Sequence, residues 1–165
     1  MDDPESIPSV EIPSVEVRLV DGPITAMLGR DSSESGPDSR PLTRVAGSLA
    51  AGAMIRFEGR VRPNEPSGDG QQRVIAGLRY EVYEPMTTRE MSRLGRALAV
   101  RHGVLGVLVQ HSYGFVEVGE CSFLLQVFSR HRAEGIMMMD EFITRMKQQV
   151  PIWKVPKWAA NGRQR

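Results

Sequence analysis

A single cysteine, Cys121, stands in the whole sequence, so no internal disulfide can staple the fold. It sits in an apolar, strand-like run and reads as a buried small hydrophobe, so any sulfur chemistry here has to use sulfur brought from elsewhere. No apolar run approaches the ~18 residues a membrane span needs, and no basic-then-apolar leader opens the sequence, which points to a cytoplasmic protein. Glycine-rich phosphate loops, Walker patterns and Ser-His-Asp arrangements are missing as well. His102 and His111 fall at the ends of expected elements without a second ligand-type residue at metal spacing, so neither a metal site nor a resident cofactor is expected.

Lysine is scarce too, and its distribution is informative. Of 21 cationic residues 18 are arginine, and the only lysines are Lys147, Lys154 and Lys157, all within eleven positions. A guanidinium stays protonated, whereas a lysine amine can be tuned to act as base, acid or nucleophile. A chain that otherwise carries charge on arginine but places lysine here marks its last third for chemistry. Net charge is only +1, yet residues 1–40 hold nine acidic and three basic residues while 130–165 hold eight basic and three acidic. That asymmetry favours an anionic ligand or partner near the C-terminal third.

The same third carries a clear local pattern. Ile136, Met139, Ile143 and Met146 recur at spacings of three and four, which predicts a helix over 133–149 with those residues facing a core. Pro151 stops it. Ser129, or a residue just after it, caps its start and leaves His131 and Arg132 beside the first unpaired backbone N–H groups, a favourable place for a phosphate. Lys147 falls at the margin of the apolar face, placed to project into a cleft.

Upstream, residues 1–14 are rich in proline, serine and acid and read as a disordered segment, with the domain over 15–158 and a short basic tail over 159–165. Val15 to Val20 is expected as an edge strand, 29–44 as an exposed loop, and 41–51 as holding a short helical turn. Met54 to Glu58 is a strand that delivers Arg60, Val61 and Arg62, whose two arginines lie on one side of an extended chain and can clamp an anion. Pro63 to Gln72 is read as a flexible loop, and Val74 to Val82 as a long alternating strand in which Tyr80 and Tyr83 are packing residues. Thr87-Thr88-Arg89-Glu90 offers a capping box to a helix striped by Met91, Leu94 and Leu98 and ending near His102. Val104 to Val109 is a buried strand, Tyr113 to Gly119 contains a turn, and Cys121 to Phe128 is a further strand. This order gives an α+β fold, a mainly antiparallel sheet with helices packed on one face.

His131-Arg132, Lys147 sixteen residues later and Val150-Pro151-Ile152-Trp153-Lys154 resemble the signature of the large, catalytic subunit of molybdopterin synthase. The stretches Gly52 to Arg62 and Leu78 to Met86 are similar to that family's two other motifs. The resemblance implies an α/β hammerhead-type fold and a homodimer. It also implies a heterotetramer with a small ubiquitin-like subunit whose C-terminal thiocarboxylate donates sulfur to cyclic pyranopterin monophosphate, forming molybdopterin. Arg60, Val61, Arg62, His131, Arg132 and the segment Lys154-Val155-Pro156 then correspond to substrate-binding positions, with Lys147 and Lys154 in the catalytic role and Lys147 relaying protons.

Val155 and Pro156 depart from the pattern, which has a further basic residue and a glutamate there. Their presence keeps open a degenerate relative that docks the ubiquitin-like subunit without catalysing. A nucleic-acid binder using Trp153, Trp158 and the basic tail has less support, because total charge is near neutral and no recognisable binding motif is present.

Overall fold

The computed structural model describes residues 12–25 and 50–160. The expected loop over 29–44, the first eleven residues and most of both the helical turn over 41–51 and the basic tail lie outside the described residues.

Among the described residues seven strands and two helices follow in the order β1 (Ser14–Asp21), β2 (Ala53–Arg60), β3 (Asn64–Pro66), β4 (Gln72–Val82), α1 (Met86–His102), β5 (Gly106–Glu117), β6 (Cys121–Ser129), α2 (Arg132–Gln149) and β7 (Ile152–Trp158). All strands join one sheet in the order β2-β6-β5-β4-β3, with β1 added to β5 and β7 added to β4. Only the β1–β5 pairing is parallel. No helix among the described residues is long and apolar enough to cross a membrane.

The expected alternation becomes a layer. Val107 and Val109 of β5 and Phe123, Leu125 and Val127 of β6 point to one face, where Met91, Leu94 and Leu98 of α1 and Met138, Phe142 and Met146 of α2 cover them. Phe142 is fully buried there, and truncating such a residue to alanine costs ~3–5 kcal/mol. A smaller core of Val61, Ile75, Leu78, Tyr80 and Val116 lies at the β4 end, with Ile152 of β7 packed against it.

Five expectations need correction. The buried stripe of α2 is Gly135, Met138, Met139, Phe142 and Met146, whereas Ile136 is 53% exposed. Gly135 lies close against the sheet on this face: a Cβ there would lie 2.7 Å from Ile55 Cδ1 and 2.7 Å from Ser129 Oγ, so a larger residue would have to push those side chains aside. Residues 63–72 are not simply a loop, since β3 pairs with the start of β4. β5 runs through Tyr113 to Glu117, so His111 lies inside a strand rather than at an element end. Tyr83 is 61% exposed and does not pack.

The fifth concerns the start of α1, whose N-cap is Pro85. Thr87, the second residue of the helix, is buried and donates from Oγ1 to the Pro151 carbonyl at 3.0 Å. Glu84 supplies the cap, its carboxylate accepting from Thr88 N at 3.0 Å and Thr88 Oγ1 at 2.8 Å. The Thr87 bond ties α1 to the chain that leaves α2.

β7 has no counterpart in the sequence reading, because Pro151, Pro156 and the two lysines obscure its alternation. Pairing with β4 over Ile75 to Val82 makes it a strand at the sheet's margin, the position where proline is tolerated.

Candidate functional site

Pro151 breaks α2 and sends the chain back along β4, so the last turn of α2, the start of β7 and the start of α1 converge. An open cleft of about 710 Å³ lies between them, with Lys147, Trp153, Tyr83, Met86, Arg89 and Glu90 among the residues of its wall. Lys147 stands at its edge, exposed and without an ion-pair partner among the described residues. Trp153 and Tyr83, 56% and 61% exposed, give the cleft aromatic surface beside that ammonium. Sequence reasoning did not assign Tyr83, Arg89 or Glu90 to a site and used Trp153 only for the nucleic-acid alternative, because strand register and helix docking, not spacing, bring them together.

The other two lysines are committed. Lys157 Nζ lies over the Phe115 ring, 5.1 Å from its centre. Lys154 projects on the same side of the sheet as its cross-strand partner Tyr80, and its Nζ lies 3.6 Å from Glu65 Oε2. The other carboxylate oxygen of Glu65 lies 4.0 Å from Arg62 Nη2. Arg62 and Lys154, 92 residues apart in sequence, thus meet across one carboxylate on β3. Val155 lies on the opposite side of β7, with Trp153, in register with Arg79, and Pro156 is half-buried opposite Leu78.

Arg60 and Arg62 do not share a partner. A β-bulge between Gly59 and Arg60 displaces the register, and Arg60 donates to the Gly119 carbonyl at 3.0 Å and to Glu58 at 2.8 Å. Burial acts to raise Glu58, but hydrogen bonds from Arg56 and Arg60 outweigh it and hold the carboxyl below its ordinary range. Val61 is in the small core, and its backbone joins Glu120 and Gly119 by bonds of 3.0 and 2.8 Å, which anchors the segment between the two arginines.

His131 is the N-cap of α2 and Arg132 its first residue. The cap is filled from inside the chain: Glu134 Oε1 accepts from His131 N at 2.6 Å, and Ser129 Oγ donates to the His131 carbonyl at 2.7 Å. Glu134 is held below the ordinary carboxylate range by its own backbone N–H and then by that of His131. Both side chains are exposed beside the positive end of the helix. Fifteen helical residues separate Arg132 from Lys147, roughly 22 Å at 1.5 Å each. One chain therefore presents two separate basic sites, one at each end of α2.

Two buried groups have plain structural environments. His111 is packed between Tyr80 and Phe123, with Nδ1 2.8 Å from the Ser112 carbonyl, and burial lowers its pKa. Cys121 is buried at the start of β6, and burial pushes its thiol up, away from thiolate chemistry. No group of three His, Cys, Asp or Glu side chains among the described residues has a metal-binding arrangement.

Comparison with known proteins adds a separate line of observation. The family model described as MoaE protein matches residues 35–149. A molybdopterin synthase catalytic subunit from Pyrococcus abyssi is 32% identical over 110 residues, which are 67% of this chain and 71% of that protein. Across the first curated relatives it matches, the chain spans only 39 to 62% of their length. Among solved structures, a molybdopterin synthase from Staphylococcus aureus superposes with a TM-score of 0.65 at 24% identity, covering 87% of this chain and 92% of that one. A complex of subunits 1 and 2 of the molybdopterin-converting factor from Helicobacter pylori gives 0.60 at 23% identity, covering 87% and 89%. These likenesses establish the sheet and helix arrangement described above.

Proposed function

This chain belongs to the MoaE protein family, and from that premise we propose that it is the catalytic subunit of a molybdopterin synthase. It takes sulfur from the thiocarboxylated C-terminus of a small ubiquitin-like subunit and places it on cyclic pyranopterin monophosphate, forming the molybdopterin dithiolene. The observation that carries this reading is Lys147: of three lysines it alone has neither an ion pair nor a ring partner among the described residues, and it stands at the edge of the one cleft with both aromatic and cationic walls described above.

Both reactants are anionic, so the site has to supply positive charge where water is partly displaced. Lys147 is the proton relay while the thiocarboxylate sulfur attacks the pterin side chain and water then cleaves the acyl–sulfur bond, releasing the partner's tail as a carboxylate. Trp153 and Tyr83 give the flat pterin or the extended tail a surface to lie on. On the other side of β7 from Trp153, Lys154 and Arg62 hold an oxyanion. The reading assigns the protein no metal or resident cofactor, and it carries a cytoplasmic setting with it.

His131 and Arg132 belong to the substrate site by resemblance, yet they lie roughly 22 Å from Lys147 along one rigid helix. We therefore infer a homodimer in which each site takes its lysines from one protomer and its His131-Arg132 pair from the other. With one small subunit per site the assembly is a heterotetramer. The complex of two subunits in the Helicobacter pylori relative supports a small-subunit partner.

The test mixes the purified protein with thiocarboxylated partner and cyclic pyranopterin monophosphate and follows the dithiolene product by mass spectrometry. Wild type yields product; Lys147→Ala folds and binds the partner but yields none, and Lys147→Arg fails as well because it keeps charge and loses the amine. Complex formation without product by the wild-type chain would make it a docking relative, and full turnover in Lys147→Ala would remove that residue from the mechanism.

A further inference from the structure

Glu65 has no role in the function proposed so far, and its surroundings are unusual for a surface carboxylate. It is the middle residue of a three-residue strand, and its side chain is 13% exposed, whereas those of the two cations it faces, Arg62 and Lys154, are 78% and 53% exposed. Its cross-strand neighbour is Arg73, yet that guanidinium lies over the Trp158 ring at 5.0 Å, and the ion pairs of Glu65 go to Arg62 and Lys154 instead. Beneath them the Tyr80 hydroxyl donates to Ser122 Oγ at 2.9 Å. Burial raises that phenol's pKa and the charge of Glu65 raises it further, which places the carboxylate's field on the same spot.

The distances decide what the carboxylate does there. A charge-assisted hydrogen bond of good geometry is ~2.7–2.9 Å long. Glu58 makes such bonds with Arg56 and Arg60, at 2.7 and 2.8 Å. Glu65 stops at 3.6 Å from Lys154 and 4.0 Å from Arg62, close enough to offset part of their charge and too far to hydrogen-bond either. An oxyanion that enters with hydrogen bonds to the two exposed cationic heads makes the better contacts.

We propose, resting on the synthase reading above, that Glu65 is a built-in counter-ion: in the empty site it stands in for the oxyanion that Arg62 and Lys154 bind, and that oxyanion displaces it from the pair. The carboxylate keeps two neighbouring cations from repelling each other and makes the slot selective, because a weakly charged ligand cannot compete with it. The oxyanion is either the phosphate of the pterin substrate or the C-terminal group of the partner's tail.

The test is calorimetric titration of the whole chain, without partner or turnover, using inorganic phosphate in one arm and a short peptide with a free C-terminal carboxylate in the other. Glu65→Gln keeps the side chain's shape and removes its charge, and it should tighten one of the two ligands by roughly threefold to tenfold. The ligand that tightens identifies the source. Adding Lys154→Ala to Glu65→Gln should return the affinity to the wild-type value or below. If phosphate is the ligand, KM for cyclic pyranopterin monophosphate falls in Glu65→Gln while kcat holds. Unchanged affinity for both ligands overturns the proposal, since the carboxylate then competes with neither; weaker affinity overturns it too, since the carboxylate then orients the cations. Absence of product in the wild-type assay with tightened binding in Glu65→Gln would sink the synthase reading and leave the counter-ion standing.

Discussion

At the scale of single residues, what a side chain can do here is set by what is already using it. Lys157 is held over Phe115, Lys154 is balanced by Glu65, and Arg60 is bound to Glu58 and the Gly119 carbonyl, which leaves Lys147, Arg132 and the largely exposed Arg62 as the groups most open to a ligand. The same logic applies to packing. Gly77 lies where β4 meets both β5 and β7, and a Cβ there would strike the Val116 carbonyl oxygen and reach 2.6 Å from the Phe115 ring. A backbone oxygen cannot move aside as a flexible side-chain tip can. Gly77→Ala is expected to destabilise by ~1–3 kcal/mol, the range for overpacking, seen as a lower denaturation midpoint.

At the scale of elements, the two helices are joined to each other as well as to the sheet. Glu141 of α2 accepts from His102 Nε2 at 2.8 Å and Arg101 Nη1 at 3.0 Å, both in the last turn of α1, and from Arg145 at 3.2 Å. His102 first, and the two arginines after it, hold the Glu141 carboxyl below its ordinary range near pH 4. A carboxylate whose folded pKa is depressed contributes stability that is present above the unfolded pKa and is lost as pH falls through the folded one. Glu141→Gln should therefore lower Tm at pH 7, with the difference from wild type shrinking below about pH 4. A difference that persists unchanged at pH 3 would mean that shape, not charge, joins the helices. Glu134 at the other end of α2 has the same sign, so acid loosens the cap beside His131 together with the helix pair.

At the scale of the molecule, α2 is a strut that separates two basic sites. A two-fold dimer that brings the His131 end of one protomer to the Lys147 cleft of the other would rejoin them. Mixing Lys147→Ala chains with Arg132→Ala chains, each inactive alone, should then restore about a quarter of the wild-type rate, since half the dimers are mixed and each mixed dimer has one intact site. A mixture that stays inactive would place both residues in a site made by one protomer.

The elements with strong internal periodicity were readable from the residues alone. The stripe of Met91, Leu94 and Leu98, the apolar run of β6 and the stop at Pro151 each depend on neighbours in sequence, and the structure keeps all three. Several ordered motifs also identified the family without any coordinates. What needed the tertiary structure was everything decided by contacts between distant segments. The buried face of α2 is Gly135, Met138, Met139, Phe142 and Met146, with Gly135 lying close to Ile55 and Ser129. β7 exists because β4 offers it an edge, although Pro156 obscures it in the sequence. The wall of the cleft joins Tyr83 to Trp153, and the pairing of Arg62 with Lys154 runs through a glutamate that no motif marks. Local preference acts over a turn or a strand, while register and helix docking bring charges 92 residues apart to one carboxylate, and only the folded chain supplies those distances.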